Sequence, residues 1–157
     1  MVFLAFRFPI VYIYIVTLAL VLKLLFTSFS IAIAVSDIKT GMVPRIFFII
    51  ALPIFLLIII LRSDQYPFWV FLMGAFLGLL IFTIAYFISG RRLGLADIWY
   101  SGLIGLLLGP LWWYPAIGIA CLAGMIWIVV CKKRRIPFIP CMAFGSAAII
   151  IFQGWFT

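Results

Sequence analysis

The chain has 157 residues, of which 69% are hydrophobic and only 9% are charged, and its formal net charge is +8. It contains no histidine, no glutamate and no asparagine. These absences exclude Ser-His-Asp and Cys-His catalysis and any histidine metal site. The three cysteines have no CxxC spacing, which indicates neither a zinc site nor a disulfide framework.

The apolar stretches are too long for the core of a soluble protein. A helix that crosses a bilayer needs about 20 apolar residues, and several stretches reach that length. The sequence therefore predicts an all-α, polytopic membrane helix bundle in which residues 1–157 form one membrane-embedded domain. In such a protein the excess of Lys and Arg is typical of cytoplasmic loops, so no nucleic-acid partner is expected.

Six membrane segments are predicted in chain order. The first covers residues 10–36, the second 46–61 and the third 68–89. Residues 98–131 contain no charge, and as one helix they would measure about 50 Å, too long for a single span. Gly109-Pro110 and Pro115 offer a break into a fourth and a fifth segment, and the sixth covers 138–156.

The basic residues divide unequally between the two sides of this topology. The first, third and fifth loops carry eight of them: Lys39, Arg45, Arg91, Arg92, Lys132, Lys133, Arg134 and Arg135. The opposite side carries Arg7 and Arg62 alone. By the positive-inside rule, the odd-numbered loops are cytoplasmic and both termini are external.

Only three acidic residues occur, and two of them fall on the predicted cytoplasmic side. Asp37 ends the first segment and Asp97 begins the fourth, while Asp64 lies in a polar turn on the other side. Asp97 at a helix N-terminus is a candidate cap, since the helix dipole favours a negative charge there. Asp37 at a C-terminus has no such support, although it has Lys39 and Arg45 as candidate ion-pair partners.

Taken together, the two aspartates are also candidates for a catalytic pair. Acidic residues at a membrane edge are candidates for function. Two carboxyl groups held close together cannot both ionise readily, so one keeps a proton. The ionised group is then able to activate water while the protonated group polarises a peptide carbonyl, which is the division of labour of an aspartic protease.

Three motifs occur in an order known from one family. They are "SDIKTGMVPR" around Asp37, "GLAD" ending at Asp97, and "RRIPFIPCMAFGSA" before the last segment. In this order and spacing, the chain resembles the type IV prepilin peptidases and the related preflagellin peptidases, which are membrane aspartic proteases with a GxGD motif. The resemblance covers about residue 31 to the C-terminus.

The resemblance implies a function for these residues. Asp37 and Asp97 would form the catalytic pair of an aspartic endopeptidase, with no cofactor and no metal. The substrate would be a prepilin-like precursor of a type IV pilus system, whose basic leader is removed in signal-peptide processing at the cytoplasmic face of the cell's inner membrane. Residues expected to bind substrate or shape the site are Gly94, Ala96, Lys39, Pro44, Pro137 and Pro140.

Two features depart from the family pattern. Ala96 stands where the motif has its second glycine, and its methyl group is expected to restrict the turn or the approach of substrate. The cytoplasmic domain with paired cysteines found in longer members is absent from this sequence. The chain is therefore similar to the short, peptidase-only form, without a basis for N-methylation.

Two alternatives remain open at this stage. "GLADIW" is faintly similar to a motif of the lipoprotein signal peptidases, but that family needs asparagines and works on the external face. A non-enzymatic transporter or assembly subunit would use the aspartates to bind a cation or to cap helices. A cation path would require polar groups across the membrane, and the later segments contain almost none.

Overall fold

The computed structural model of the chain describes residues 2–41, 43–61, 67–91, 93–131 and 137–156. These residues form helices and no strand, which confirms the predicted all-helical fold. The five helices are α1 Val2–Thr40, α2 Ile46–Leu61, α3 Phe68–Ile88, α4 Leu95–Cys131 and α5 Phe138–Phe156. The polar turn around Asp64, the basic run 132–135 and Arg92 lie outside the described residues.

The helices are those of a membrane protein. Three stretches are long and apolar enough to cross a bilayer: Leu20–Thr40, Phe68–Ile88 and Leu95–Val130. Shorter apolar helices cover Ile46–Leu57 and Phe138–Gln153. A six-span topology with external termini stays a prediction, while a membrane-embedded helical bundle agrees with these lengths.

The chain reverses direction inside α4. Gly109 has φ 73° and ψ 174°, which is not helical. Beyond it, the Trp113 indole N–H donates to the Ser101 carbonyl oxygen at 3.3 Å and to the Ser101 hydroxyl at 3.2 Å. Twelve residues of unbroken helix would separate these two residues by about 18 Å. Residues 95–108 (α4a) and 110–131 (α4b) are therefore two helical stretches that fold against each other, with the break at the predicted Gly109-Pro110 position.

Glycines bring α3 and α4a into backbone contact. A Cβ atom on Gly105 would overlap the carbonyl group of Gly74, and a Cβ on Gly74 would overlap the carbonyl oxygen of Gly105. A side chain at either position would therefore force the helices apart. Small residues permit this close approach between membrane helices, where van der Waals packing drives association. The contact sets the position of α4a, which begins at the candidate site.

α4b and α5 lie antiparallel to each other. Gly124 is close to the ring of Phe138 near one end, and Gly145 contacts the backbone of Ala116 further along. α1 also packs against α5, and fully buried side chains from α1, α4 and α5 include Phe26, Tyr100 and Met142. As a result, the C-terminal end of α1 and the N-terminal ends of α4 and α5 meet at one end of the bundle.

Candidate active site

Asp97 lies in the first turn of α4 and is held by the residue where that helix starts. The Gly94 backbone N–H donates to Asp97 Oδ2 at 3.0 Å, and the Asp97 N–H donates to the Gly94 carbonyl at 3.1 Å. The first bond is the carboxylate half of a capping box, with the acidic residue three positions after the cap, and the second is a backbone bond of the first turn. Asp97 is buried, with 7% of its surface exposed. The helix start therefore both holds and stabilises the carboxylate.

Steric contact explains why the "GLAD" motif has glycine at position 94. A Cβ atom built on Gly94 would lie 3.1 Å from Asp97 Oδ2, a distance at which one of the two groups must shift. Glycine at this position lets the backbone N–H approach the carboxylate without a side chain in the way. Gly94 therefore shapes the surroundings of Asp97 directly.

Ala96 does not strain the backbone. It lies within the first turn of α4, is half-buried and packs against the hydrophobic core. The one non-glycine residue with positive φ in the described part of the chain is Arg91. Because Ala96 is helical, alanine is favoured over glycine there by up to about 1 kcal/mol. The expected restriction of the turn by its methyl group therefore has no basis in backbone conformation.

Asp37 lies in the last turn of α1, where its own helix offers it no support. The helix ends at Gly41, which has φ +63° and whose N–H donates to the Asp37 carbonyl at 2.9 Å, as in a C-terminal glycine cap. The Asp37 carboxyl group is half-buried and lies near the Ile139 backbone N–H, whose partial positive charge attracts it. Ile139 belongs to the first turn of α5, whose free N–H groups favour an anion. Another helix thus supplies the support that α1 lacks.

The structure brings the two aspartates together. Their carboxyl groups are close enough for the charge of Asp37 to act on Asp97. Asp97 is buried and Asp37 half-buried, so the pair has one inner and one outer member. Each faces a different backbone N–H: the Gly94 N–H donates a hydrogen bond to Asp97, and the Ile139 N–H lies near Asp37. Two neighbouring carboxylates repel each other, which disfavours a state with both of them ionised.

The remaining predicted residues differ in their exposure and in the element that carries them. Lys39 in the last turn of α1 and Pro44 before α2 are both exposed to the surroundings of the bundle. Pro137 directly precedes α5, and Pro140 lies in its first turn. A proline has no N–H, so Pro140 leaves Ile139 as the neighbouring donor at this helix start. The two prolines therefore flank the start of α5, where the Ile139 N–H lies near Asp37.

Sequence reasoning missed two groups at the site. The first is the Ile139 backbone N–H, which no side-chain pattern reveals, although Pro137 and Pro140 marked its neighbourhood. The second is Tyr100, fully buried one turn beyond Asp97. Its hydroxyl lies beside those of Ser30 and Ser146, but no hydrogen bond with acceptable geometry forms.

A metal site does not emerge from the described residues. Nowhere among them do three or more His, Cys, Asp or Glu side chains come together.

A comparison with protein families identifies the chain. The model of the type IV leader peptidase family matches residues 24–129, more than half of the sequence. The chain belongs to the type IV leader peptidase family. This membership confirms the resemblance seen in the motifs and indicates a peptidase, and the apolar helices indicate an integral membrane protein.

The matched range of this leader peptidase includes both aspartates and the whole of "GLAD". The third motif, with Pro137 and Pro140, lies beyond it. Comparisons with curated proteins and with solved structures found no match.

Proposed function

We propose that this leader peptidase is an aspartic endopeptidase that removes the basic leader of type IV prepilin-like precursors. Its catalytic pair is Asp37 and Asp97. The observation that carries the proposal is that these two carboxyl groups lie near each other at one end of the bundle, each beside a helix N-terminus. Family membership supports the same reaction class.

The proposed reaction divides the work between the two carboxyl groups. The ionised aspartate takes a proton from a water molecule as that water attacks the scissile carbonyl carbon. The protonated aspartate donates its proton to the carbonyl oxygen, so a neutral tetrahedral intermediate forms. This intermediate then collapses, the C–N bond breaks, and the leaving nitrogen takes up a proton. The products are the leader with a new carboxyl end and the mature subunit with a free amine.

The proposed orientation puts this site at the cytoplasmic face of the inner membrane. Lys39 and Arg45 lie at the same end of the bundle as Asp37, and Arg91 precedes α4 and Asp97. Basic residues concentrate on the cytoplasmic side of membrane proteins. A precursor with a basic leader has its cleavage site on that side before export of the mature part.

The test is cleavage of a co-expressed prepilin-like precursor encoded in the same genome. Asp37→Asn and Asp97→Asn are each expected to lower cleavage by at least about 100-fold, since each removes an acid–base group. Asp64→Asn, which changes the third acidic residue of the chain, is the matched control and is expected to cleave normally. Normal cleavage by either of the first two variants would disprove the mechanism.

A further inference from the structure

A groove lies between α1 and α5 on the outside of the bundle. Its volume is about 300 Å³, at the lower end of the range for ligand sites. Residues between 26 and 38 of α1 form one wall, about 18 Å long at 1.5 Å per residue. Residues 143–147 of α5 form the other wall. The groove is long and shallow, suited to one face of a helix.

One end of the groove reaches the aspartate pair. Ile38, which lines the groove, directly follows Asp37. On the other wall, Ala143 lies one helical turn after Ile139, whose N–H lies near the Asp37 carboxyl group. A segment lying in the groove would therefore have its end beside the catalytic carboxyl groups.

The surface of the groove is apolar and uncharged. Thr27, Ser30 and Ser146 are the polar residues among those that line it. Each of their hydroxyls donates to a carbonyl three or four residues earlier in its own helix, at 2.9, 2.7 and 3.0 Å respectively. Because these donors are satisfied within the helices, the groove favours an apolar occupant over a polar one.

Small side chains make the floor of the groove shallow enough for close contact. Ala34 on α1 and Ala143 and Ala147 on α5 line it, while Ile31 and Phe144 stand at its edges with more than half of their surface exposed. Small residues let a second membrane helix approach the backbone closely. The larger side chains at the edges add contact area on both flanks.

We propose that this groove seats the uncharged apolar helix that follows the cleavage site in the precursor. The helix enters sideways from the lipid, and its N-terminal end reaches Asp37 and Asp97. This inference rests on the proposed function, because it assigns the groove to that substrate. A lipid chain would also suit the apolar walls, but it gives no reason for the groove to end at the carboxyl pair.

Filling the groove tests the proposal. Ala34→Leu and Ala147→Leu place a larger side chain in it, while Ala32→Leu and Ala148→Leu change neighbouring residues that do not line it. The probe is a synthetic precursor with a basic leader followed by about 20 uncharged apolar residues. We expect the two groove variants to raise KM at least about tenfold with little change in kcat, and the controls to match the wild type. An unchanged KM in both groove variants would overturn the proposal.

Photo-crosslinking separates this proposal from the proposed function, because it needs no cleavage. A crosslinking amino acid replaces Phe144 beside the groove or, as a control, the exposed Phe76 on α3, each in the Asp97→Asn protein. The crosslinking residue at position 144 is expected to react with the apolar part of the probe, and the one at position 76 is not. Capture of lipid alone, or of a second copy alone, contradicts the proposal. If Asp97→Asn still cleaves, the mechanism fails, while the crosslinks continue to decide the groove.

Discussion

At the scale of single residues, the question is how two carboxyl groups are stabilised at the predicted edge of a bilayer, where a charge loses contact with water. A buried charge is tolerated when hydrogen bonds compensate for the lost water. Asp97 accepts a hydrogen bond from Gly94 at the start of its own helix, whereas Asp37 lies near the Ile139 N–H of another helix. The same backbone N–H groups that stabilise the aspartates also orient their carboxyl groups.

The pair Gly94 and Ala96 tests which motif position matters for this orientation. Gly94→Ala is expected to lower cleavage about tenfold or more, because its Cβ would press on Asp97 Oδ2. Ala96→Gly, a change toward the family motif, is expected to cleave within about twofold of the wild type, because Ala96 is already helical. Initial rates of precursor cleavage measure both. A large gain in Ala96→Gly would show that the methyl group does restrict the site.

Two substitutions of Ile139 test the effect of its backbone N–H on Asp37. Ile139→Pro removes the donor at a position in the first turn of α5 where a helix tolerates proline. Ile139→Ala removes the buried side chain and keeps the N–H. A helix N-terminus stabilises a nearby negative charge by about 0.3–1 kcal/mol, so the proline variant is expected to lose about two- to fivefold in kcat relative to the alanine variant. Equal rates in the two variants would mean that the backbone N–H at position 139 does not position Asp37.

At the scale of helices, the contact between α3 and α4a determines where Asp97 stands. Gly74 and Gly105 leave no room for a side chain between the two backbones. Neither partner is able to yield by turning a side chain, since both contacting groups belong to the main chain. A change here would therefore move α4a as a body, together with the carboxyl group in its first turn.

Gly105→Ala is accordingly expected to destabilise the protein by about 1–3 kcal/mol, the usual cost of overpacking. Gly118→Ala in α4b is the control, because nothing lies within 4 Å of a Cβ built there. The control is expected to keep or raise stability by up to about 1 kcal/mol. Thermal unfolding in detergent compares the two proteins. Equal melting temperatures would contradict the close contact.

At the scale of the whole molecule, the reversal at Gly109 decides which helix ends share a side. Because α4a and α4b run in opposite directions, α5 starts at the same end as α4. The C-terminal end of α1 joins them, since Asp37 lies near the Ile139 N–H. An unbroken α4 would instead place the start of α5 far from Asp97.

The predicted orientation is open to a labelling test. In a protein whose three native cysteines are replaced by alanine, Lys39→Cys is expected to react with a membrane-impermeant maleimide only in inverted membrane vesicles. Gln65→Cys, in the loop predicted to be external, is expected to react only in spheroplasts. The opposite pattern would place the carboxyl pair on the external face and contradict the proposed function.

Much of the fold could be predicted from the sequence, because lipid imposes simple demands on a chain. Long apolar runs must be helical to satisfy their backbone groups, and the bounds of α2 and α5 agree with the predicted segments. The start of α1 was less predictable. The structure begins it at Val2 rather than at residue 10, since hydropathy marks the apolar part of a helix and not its ends.

The sequence by itself determined which acidic groups are available: three aspartates, two of them predicted to lie at one membrane edge, in motifs of a leader peptidase family. The tertiary structure decided how those two are held and what lies beside them. The Ile139 N–H and the groove between α1 and α5 arise from contacts between helices distant in sequence. No local pattern encodes such contacts, because a backbone donor is common to almost every residue and only packing selects which one meets Asp37.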